Sequence, residues 1–454
     1  MIESALSDRG PEAPVLRKVS RRFVWFLFLL FVVNFIDRGN VGMAAITMNP
    51  QLGISATMFG LSLTIFAIAY ALCEIPSNLI LARVGARRWF ARIMITWGIA
   101  SAACAFIVGA KTLILFRTIL GIAEAGFAPG LVLFITYWYP QFYRSSAQSG
   151  FMIAQPIAGA AGALLGGVIL GMNGVFGLAG WQWLFLIEGA PAVVLGVVTY
   201  FYLTDRPAEA KWLSAEERAT LEAALERDQE NRETLIATGE RRSVFRLVLS
   251  RNMLILSFTF GCMVANFSAL GAWMPQIVRD MNAPGTAYWV IGAITAIPSL
   301  CTIAAIPIWS IHSDRRKERY WHCIGPVLVG ALAWEVAATA HRPAVQMAAL
   351  VVASVTTIAA WPIFFTLPAA VLPREAHAAG IAFLNTVGIG GAALSPIVMG
   401  VMRDLTGSFA APMAVMGAIL ALGAALVFLV PQRLLNGNGA VAVTPADAAL
   451  SRDA

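Results

Sequence analysis

The chain has 454 residues, 59% of them hydrophobic and 13% charged, with a mean hydropathy of +0.74 and a formal net charge of +7. Such a composition is too apolar for a soluble globular protein. The positive balance does not indicate a nucleic-acid partner, because the basic residues cluster between the apolar runs.

Each run of about 18 or more apolar residues is long enough to cross a hydrocarbon core of about 30 Å as a helix. With no water there to satisfy backbone groups, helices are the expected spanning form. The first run begins near Phe23, is too long for a signal peptide and has no small-residue cleavage site, so it reads as a permanent span. Apolar pattern predicts twelve spans, at 23–46, 57–79, 89–109, 111–136, 146–170, 182–203, 251–276, 286–310, 320–340, 344–370, 376–402 and 409–430. The expected fold is therefore an all-α polytopic membrane protein with twelve transmembrane helices in two six-helix halves.

Between the sixth and seventh spans lies the one long polar stretch. Within it "SAEERATLEAALER" has a Ser cap, acids in its first turn and apolar residues at helical spacing, which predicts a surface helix. The chain divides into an N-terminal tail (1–22), a first bundle (23–203), a linker (204–250), a second bundle (251–430) and a C-terminal tail (431–454). With the N-terminus inside, inner segments hold 26 of the 32 Lys and Arg, and outer loops hold Lys111, Arg279, Arg342 and Arg403. Basic residues concentrate in cytoplasmic loops, so both termini are expected in the cytoplasm of an inner-membrane, multi-pass protein. The two remaining arginines, Arg38 and Arg117, lie inside spans.

Basic loops repeat at a fixed offset. "ARVGARRW" follows the second span and "SDRRKERYW" the eighth, with Arg83 and Arg87 lying 232 residues before Arg315 and Arg319. Parallel repeats are a transporter architecture, with the substrate site between the halves near the midplane. Five cysteines in or beside apolar segments read as buried, inert thiols. Four scattered histidines fit no helical metal motif, and no metal or cofactor is expected. His312 and His322, flanking the inner basic loop, read as solvated.

"VVNFIDRGNVG" places Asp37 and Arg38 side by side within the first span. Ionisable groups in a bilayer are costly unless they face a cavity or a partner. Adjacent helical residues diverge by about 100°, so the two do not neutralise each other well. Counting about 1.5 Å per residue from Arg22, Asp37 lies roughly 22 Å into the helix, near the midplane. In the fourth span Arg117 and Glu124 are seven residues apart, on one face but about 10.5 Å apart along the axis, so each needs a partner elsewhere. A face shared with the first span would gather all four. Packing pairs and a binding site are the competing readings, and depth favours the site. Gln155, costly in lipid, is expected to face the cavity. Glu74 is assigned to gate or loop ion pairs, and Glu188 and Glu335 to structural roles. The second half lacks equivalent charges and offers Asn266, Ser268, Trp273, Thr357, Trp361, Phe365, Asn385 and Thr386 instead. Trp361 and Phe365, at i and i+4, form either an aromatic wall or ordinary packing.

Twelve spans, a central linker and the paired loops resemble the major facilitator superfamily. "SIHSDRRKER" is similar to its "GxxxDRxGRR" loop, while the first-half copy has Ala82 in place of the Asp. "FIDRGNVG", "YALCEIPSNLIL", "VGARRWFARIMITWG", "FRTILGIAEAGFAPG", "YWYPQFYRSSA" and "WQWLFLIEGAPA" narrow the resemblance to the anion:cation symporter branch, which carries sugar acids, tartrate, phthalate and hydroxyphenylacetate. The resemblance implies substrate recognition and proton coupling for Asp37, Arg38, Arg117 and Glu124. The expected function is import of a small organic carboxylate with protons by a monomer in the lipid bilayer. Arg38, Arg117, Gln155, Asn385 and Trp361 would bind substrate, and Asp37 and Glu124 would carry protons. "FLNTVGIGGAAL" keeps Asn385 but has Ile389 and Ala393 where the branch has Asn and an aromatic. That loss of polarity favours an aromatic or dicarboxylic acid over a sugar acid, the alternative cargo. A membrane enzyme acting on a small anion is the alternative from another class, but no nucleotide loop, metal cluster or nucleophile motif supports it.

Overall fold

A computed structural model describes residues 11–238, 247–372 and 376–436. Eleven of its helices are long and apolar enough to cross a membrane, and Ala154–Leu170 is a shorter apolar helix. Together they make twelve spans. The predicted tail beyond residue 436, Arg374 and linker residues 239–246 fall outside the described residues.

The first span is longer than its apolar run. Its helix covers Ala13–Leu52 because Val15, Leu16, Val19 and Phe23 keep a buried helical stripe below the membrane, while Arg17, Lys18 and Arg21 point outward. The linker helix forms at Ala215–Thr238. Its Ser214 cap accepts from the Glu217 N–H at 3.1 Å, and Glu217 accepts back from the Ser214 N–H at 2.8 Å. It docks on the first half through Lys18–Glu217 and Arg144–Asp228, both at 2.9 Å, and Trp212 nearby stacks on Trp138.

Three predicted continuous spans are broken, each at a proline. The fourth consists of Ala110–Glu124 and Phe127–Trp138, the fifth of Gln141–Met152 and Ala154–Leu170, and the tenth of Pro343–Phe364 and Pro368–Val371. A proline has no N–H for the carbonyl four residues back, and its ring crowds that carbonyl. Pro129, Pro156 and Pro368 therefore free the carbonyls of Ala125, Met152 and Phe364. At the first break Ser77 of the second span (Ala56–Val84) donates to the Ala125 carbonyl at 2.7 Å. Gly126 there has φ +86°, and a Cβ on it would lie 2.4 Å from Ser77 Oγ.

Contacts between the first and last six spans concentrate away from the basic loops. A Cβ on Gly60 of the second span would lie 2.4 Å from the Pro396 carbonyl of the eleventh (His377–Thr406), and one on Gly400 would lie 2.3 Å from the Ala56 carbonyl. Thr64 donates to the Ala393 carbonyl at 2.6 Å. Asp404 caps the second span, accepting from the N–H groups of Ala56 (3.1 Å) and Thr57 (2.7 Å). The fifth and eighth spans close likewise, Gly292 meeting Ala163. Toward the basic loops Leu72, Ile75 and Leu79 of the second span and Ile308 and Ile311 of the eighth (Tyr288–Arg316) are exposed. The molecule is shut on one side and open on the side of the basic loops.

Two expectations about minor residues change. His322 is buried, not solvated: its ring bonds Glu318 at 2.6 Å and His312 at 2.8 Å, under Trp309. All five cysteines are free, but Cys301 is exposed and Cys73 half-buried.

Candidate functional site

The first span puts two faces to use at one depth. Asp37 and Arg38 diverge, as adjacent helical residues must. Arg38 points toward the fourth span, where its Nε donates to Glu124 Oε1 at 2.5 Å. Asn34, one turn earlier, donates to the same oxygen at 2.7 Å. Glu124 is fully buried, whereas the Arg38 side chain is 31% exposed. The pair thus has one protected partner and one that solvent and a ligand can reach.

Aromatic rings flank both arginines. Arg38 lies over Tyr70 at 4.8 Å and Phe66 at 5.9 Å, and Arg117 lies over the other ring of that pair, Phe66, at 4.3 Å. Cations over aromatic faces are attracted by the ring quadrupole. Arg117 is buried within electrostatic reach of Asp37, Glu124 and Arg38, but its Nε and Nη1 have no hydrogen-bond partner among the described residues. Arg38 Nη2 is also unpartnered. Buried donors of this kind are costly to leave unmade. Three unpartnered guanidinium nitrogens in one neighbourhood are an anion-binding arrangement, and the planar fork suits a carboxylate.

Asp37 faces away from this group. Its carboxylate accepts from Trp97 Nε1 at 2.7 Å, from Asn40 Nδ2 at 3.0 Å and from Ser101 Oγ. Trp97 and Ser101 stand at i and i+4 on the third span (Ala86–Ala103). Sequence reasoning did not single them out, though a Trp and a Ser one turn apart in an apolar run were a usable signal. Asn34, Phe66 and Tyr70 were missed as well; Asn34 is one turn from Arg38, and Phe66 and Tyr70 are one turn apart.

The structure thus brings the four charged residues into one neighbourhood but splits them between two sides of the first span. Trp361 joins Phe260 (5.8 Å) and Phe267 (5.1 Å), and Phe365 also meets Phe260 at 5.1 Å, which makes an aromatic cluster from the seventh and tenth spans. Gln155 is half-buried and Asn385 exposed, and neither is hydrogen-bonded to a described residue. Glu74 makes no ion pair among the described residues. It lines a crevice of about 400 Å³ with Asn78, Ala82, Pro129 and Leu133, on the open side.

The chain matches the Major Facilitator Superfamily over residues 27–396 and 262–449, and it belongs to that family. It is a multi-pass membrane transporter, not an enzyme. It is 40% identical to a protein described as a tartrate transporter of Agrobacterium vitis, over 94% of this chain and 97% of that one. It is 38% identical to a metabolite transport protein, NicT, of Pseudomonas putida, again over 94% and 97%. Among solved structures it is similar to a bacterial homologue of the human lysosomal transporter Spinster, inward-facing and unoccupied. The TM-score is 0.74 at 19% identity, covering 96% of this chain and all of the other.

Proposed function

We propose that this carrier imports a small organic carboxylate together with protons, across the inner membrane, by alternating access between its two six-helix halves. The halves are residues 23–203 and 251–430, joined by a cytoplasmic linker at 204–250, with both termini in the cytoplasm and the monomer as the working unit. On that orientation the open side, which carries the basic loops, is inward. Relatives described as transporters of tartrate and of sulfoacetate support an organic anion as cargo.

The observation that carries the reading is the half-exposed Arg38 paired to the buried Glu124. While Glu124 is ionised it occupies Arg38, and an incoming carboxylate must displace it. A proton taken up by Glu124 Oε2, the oxygen without a partner, neutralises the competitor and frees the guanidinium. The substrate carboxylate then takes the Arg38 fork, with the Arg117 N–H groups as a second point of charge. On the inner side Glu124 gives up its proton, reclaims Arg38 and expels the anion. Proton and substrate affinity are linked because both act on one side chain. The aromatic rings of Phe66 and Tyr70, with Trp361 of the other half, favour an aromatic acid, and the two arginines a dicarboxylic one, over a polyhydroxylated sugar acid. Gln155 and Asn385, which make no hydrogen bond among the described residues, read the rest of the molecule.

Proteoliposomes holding a pH dye test this with tartrate, phthalate, hydroxyphenylacetate and a sugar acid. Addition of the cargo outside acidifies the interior. Uptake that needs sodium and ignores the pH gradient sinks the reading.

A further inference from the structure

Behind the first span lies a second buried acid that the cycle above does not use. The sixth span (Gly180–Tyr202) crosses the third by backbone contact: a Cβ on Gly98 would lie 2.8 Å from the Gly189 carbonyl, and one on Gly189 would lie 2.9 Å from the Gly98 carbonyl. That close crossing holds Glu188 beside Asn40 and within electrostatic reach of Asp37. Glu188 is only 5% exposed, and among the described residues neither of its oxygens meets full hydrogen-bond geometry, although the Asn40 side chain is near enough to interact with it. Its situation differs from that of the other buried acids. Glu124 has Arg38, and Asp37 has three donors with Arg117 in reach, whereas the charged group facing Glu188 is another acid.

A donor and acceptor inventory assigns the proton. An ionised carboxylate only accepts hydrogen bonds, and a protonated one also donates. Asn40 gives its Nδ2 to Asp37, while its own Oδ1 is buried and has no donor. Trp97 and Ser101, the polar groups the third span presents here, are both committed to Asp37. A proton on Glu188 removes an uncompensated charge from the membrane interior and turns an acceptor into a donor beside Asn40, whose Oδ1 lacks one. Asn40 thus stands between Glu188 and Asp37, bonded to the second and beside the first.

We infer that Glu188 is a second proton site of the carrier, linked through Asn40 to Asp37, and that the two acids hold one transported proton between them. The site is separate from Glu124 and Arg38. This rests on the proton-symport reading for the word transported, and on geometry alone for the protonated acid. Glu188→Gln leaves Asp37 with its three donors and no second acid to exchange with. Asp37→Asn leaves Glu188 with no acid to exchange with. Either change removes the shared proton.

Two measurements test it. Infrared spectra of the substrate-free protein with carbon-13 labelled glutamate show a buried acid carbonyl stretch at neutral pH, which Glu188→Gln removes and Glu124→Gln does not. Absence of that band overturns the inference, whatever the transport data show. In proteoliposomes at zero membrane potential, the slope of equilibrium substrate accumulation against the pH gradient counts protons per substrate. It falls by one in Glu188→Gln and in Asp37→Asn, and by no more than one in the double variant. A structural role slows uptake but leaves this slope intact, so an unchanged slope overturns the inference, and so does a fall of two in the double variant. Asn40→Ala breaks the bridge while keeping both acids and must lower the slope likewise; it carries the test if Glu188→Gln does not fold. Uptake with no pH dependence in the parent defeats the symport reading instead, and leaves the infrared result to decide the charge state.

Discussion

Glu124→Gln separates competition for Arg38 from simple packing. Glutamine keeps an oxygen for Asn34 Nδ2, which now lies 2.7 Å from Glu124 Oε1, and it keeps the shape of the buried side chain. It removes the charge that holds Arg38 Nε at 2.5 Å. Hydrogen bonds to charged groups contribute about 1.5–3 kcal/mol, and each 1.4 kcal/mol is a factor of about ten in affinity. Relieved of its internal competitor, Arg38 should bind a carboxylate about 10- to 150-fold more tightly at alkaline pH. The pH dependence changes too. On the competition argument each substrate bound in the parent requires one proton on Glu124, so wherever that acid is ionised affinity should fall about tenfold per pH unit. In Glu124→Gln that dependence should be flat, apart from any contribution of the Asp37–Glu188 pair. Calorimetric titration of the purified carrier with its carboxylate at several pH values reads both quantities. In vesicles the same variant should retain counterflow and lose gradient-driven accumulation, because it cannot release a proton inside. A variant that binds no better at high pH than the parent, or that keeps the parent's slope, refutes the competition argument.

Arg38→Lys should weaken carboxylate binding by about 2–5 kcal/mol, since an ammonium cannot supply the planar fork; binding within a few-fold of the parent moves the anchor to Arg117. Asp404→Ala removes the two N–H acceptors that tie the eleventh span to the start of the second. Helix caps are worth about 0.5–2 kcal/mol, so the closed outer gate should lose about 2- to 30-fold in population. Alkylation of Thr64→Cys in a chain lacking its native cysteines reads the change, because Thr64 is buried against the Ala393 carbonyl when the gate is shut; an unchanged rate refutes the latch. In the loop before the ninth span, burial raises the Glu318 carboxyl. The Trp321 N–H, the His322 ring and the His322 N–H together outweigh it and hold the group below the ordinary carboxylate range. A depressed value contributes stability above the unfolded value, about pH 4.3, and loses it as pH falls through the folded one. The melting-temperature gap between the parent and Glu318→Gln should therefore shrink in acid, and a constant gap refutes the assignment.

The sequence made the four charged residues legible because ionisable groups stand out in apolar runs, and adjacency alone showed that Asp37 and Arg38 do not pair with each other. It did not show which residue faced which side. That depended on Trp97 and Ser101 of the third span, polar groups that become partners only when the helices are assembled. The breaks in the fourth, fifth and tenth spans were legible in principle, since Pro129, Pro156 and Pro368 stand within about one turn after them, but hydropathy windows average over such points. The first helix began ten residues before its apolar run for the opposite reason: its buried stripe from Val15 to Phe23 is interleaved with charge. His322 was misjudged because a basic loop reads as solvated until Trp309 and His312 are known to cover it. Glu188 was assigned a structural role from its span, and only its missing partners set it apart.

The proposed cycle needs one stiff element in contact with both Glu124 and the gate, and the second span meets that requirement. At its outer end it takes the Asp404 cap and presses Gly60 and Thr64 on the eleventh span. At mid-length its Phe66 and Tyr70 lie under Arg117 and Arg38. Nearer its inner end Ser77 holds the Ala125 carbonyl, one residue beyond Glu124, at the point where the fourth span is broken. A shift of Arg38 between Glu124 and a substrate carboxylate therefore changes the load on Tyr70 and Phe66. A change in the charge of Glu124 acts at the helix end that Ser77 pins. In the proposed cycle both would reach the contact with the eleventh span through one helix whose length is a fixed multiple of about 1.5 Å per residue. The break at Ala125–Gly126 thus lies where Glu124, the arginine pair and the second span meet.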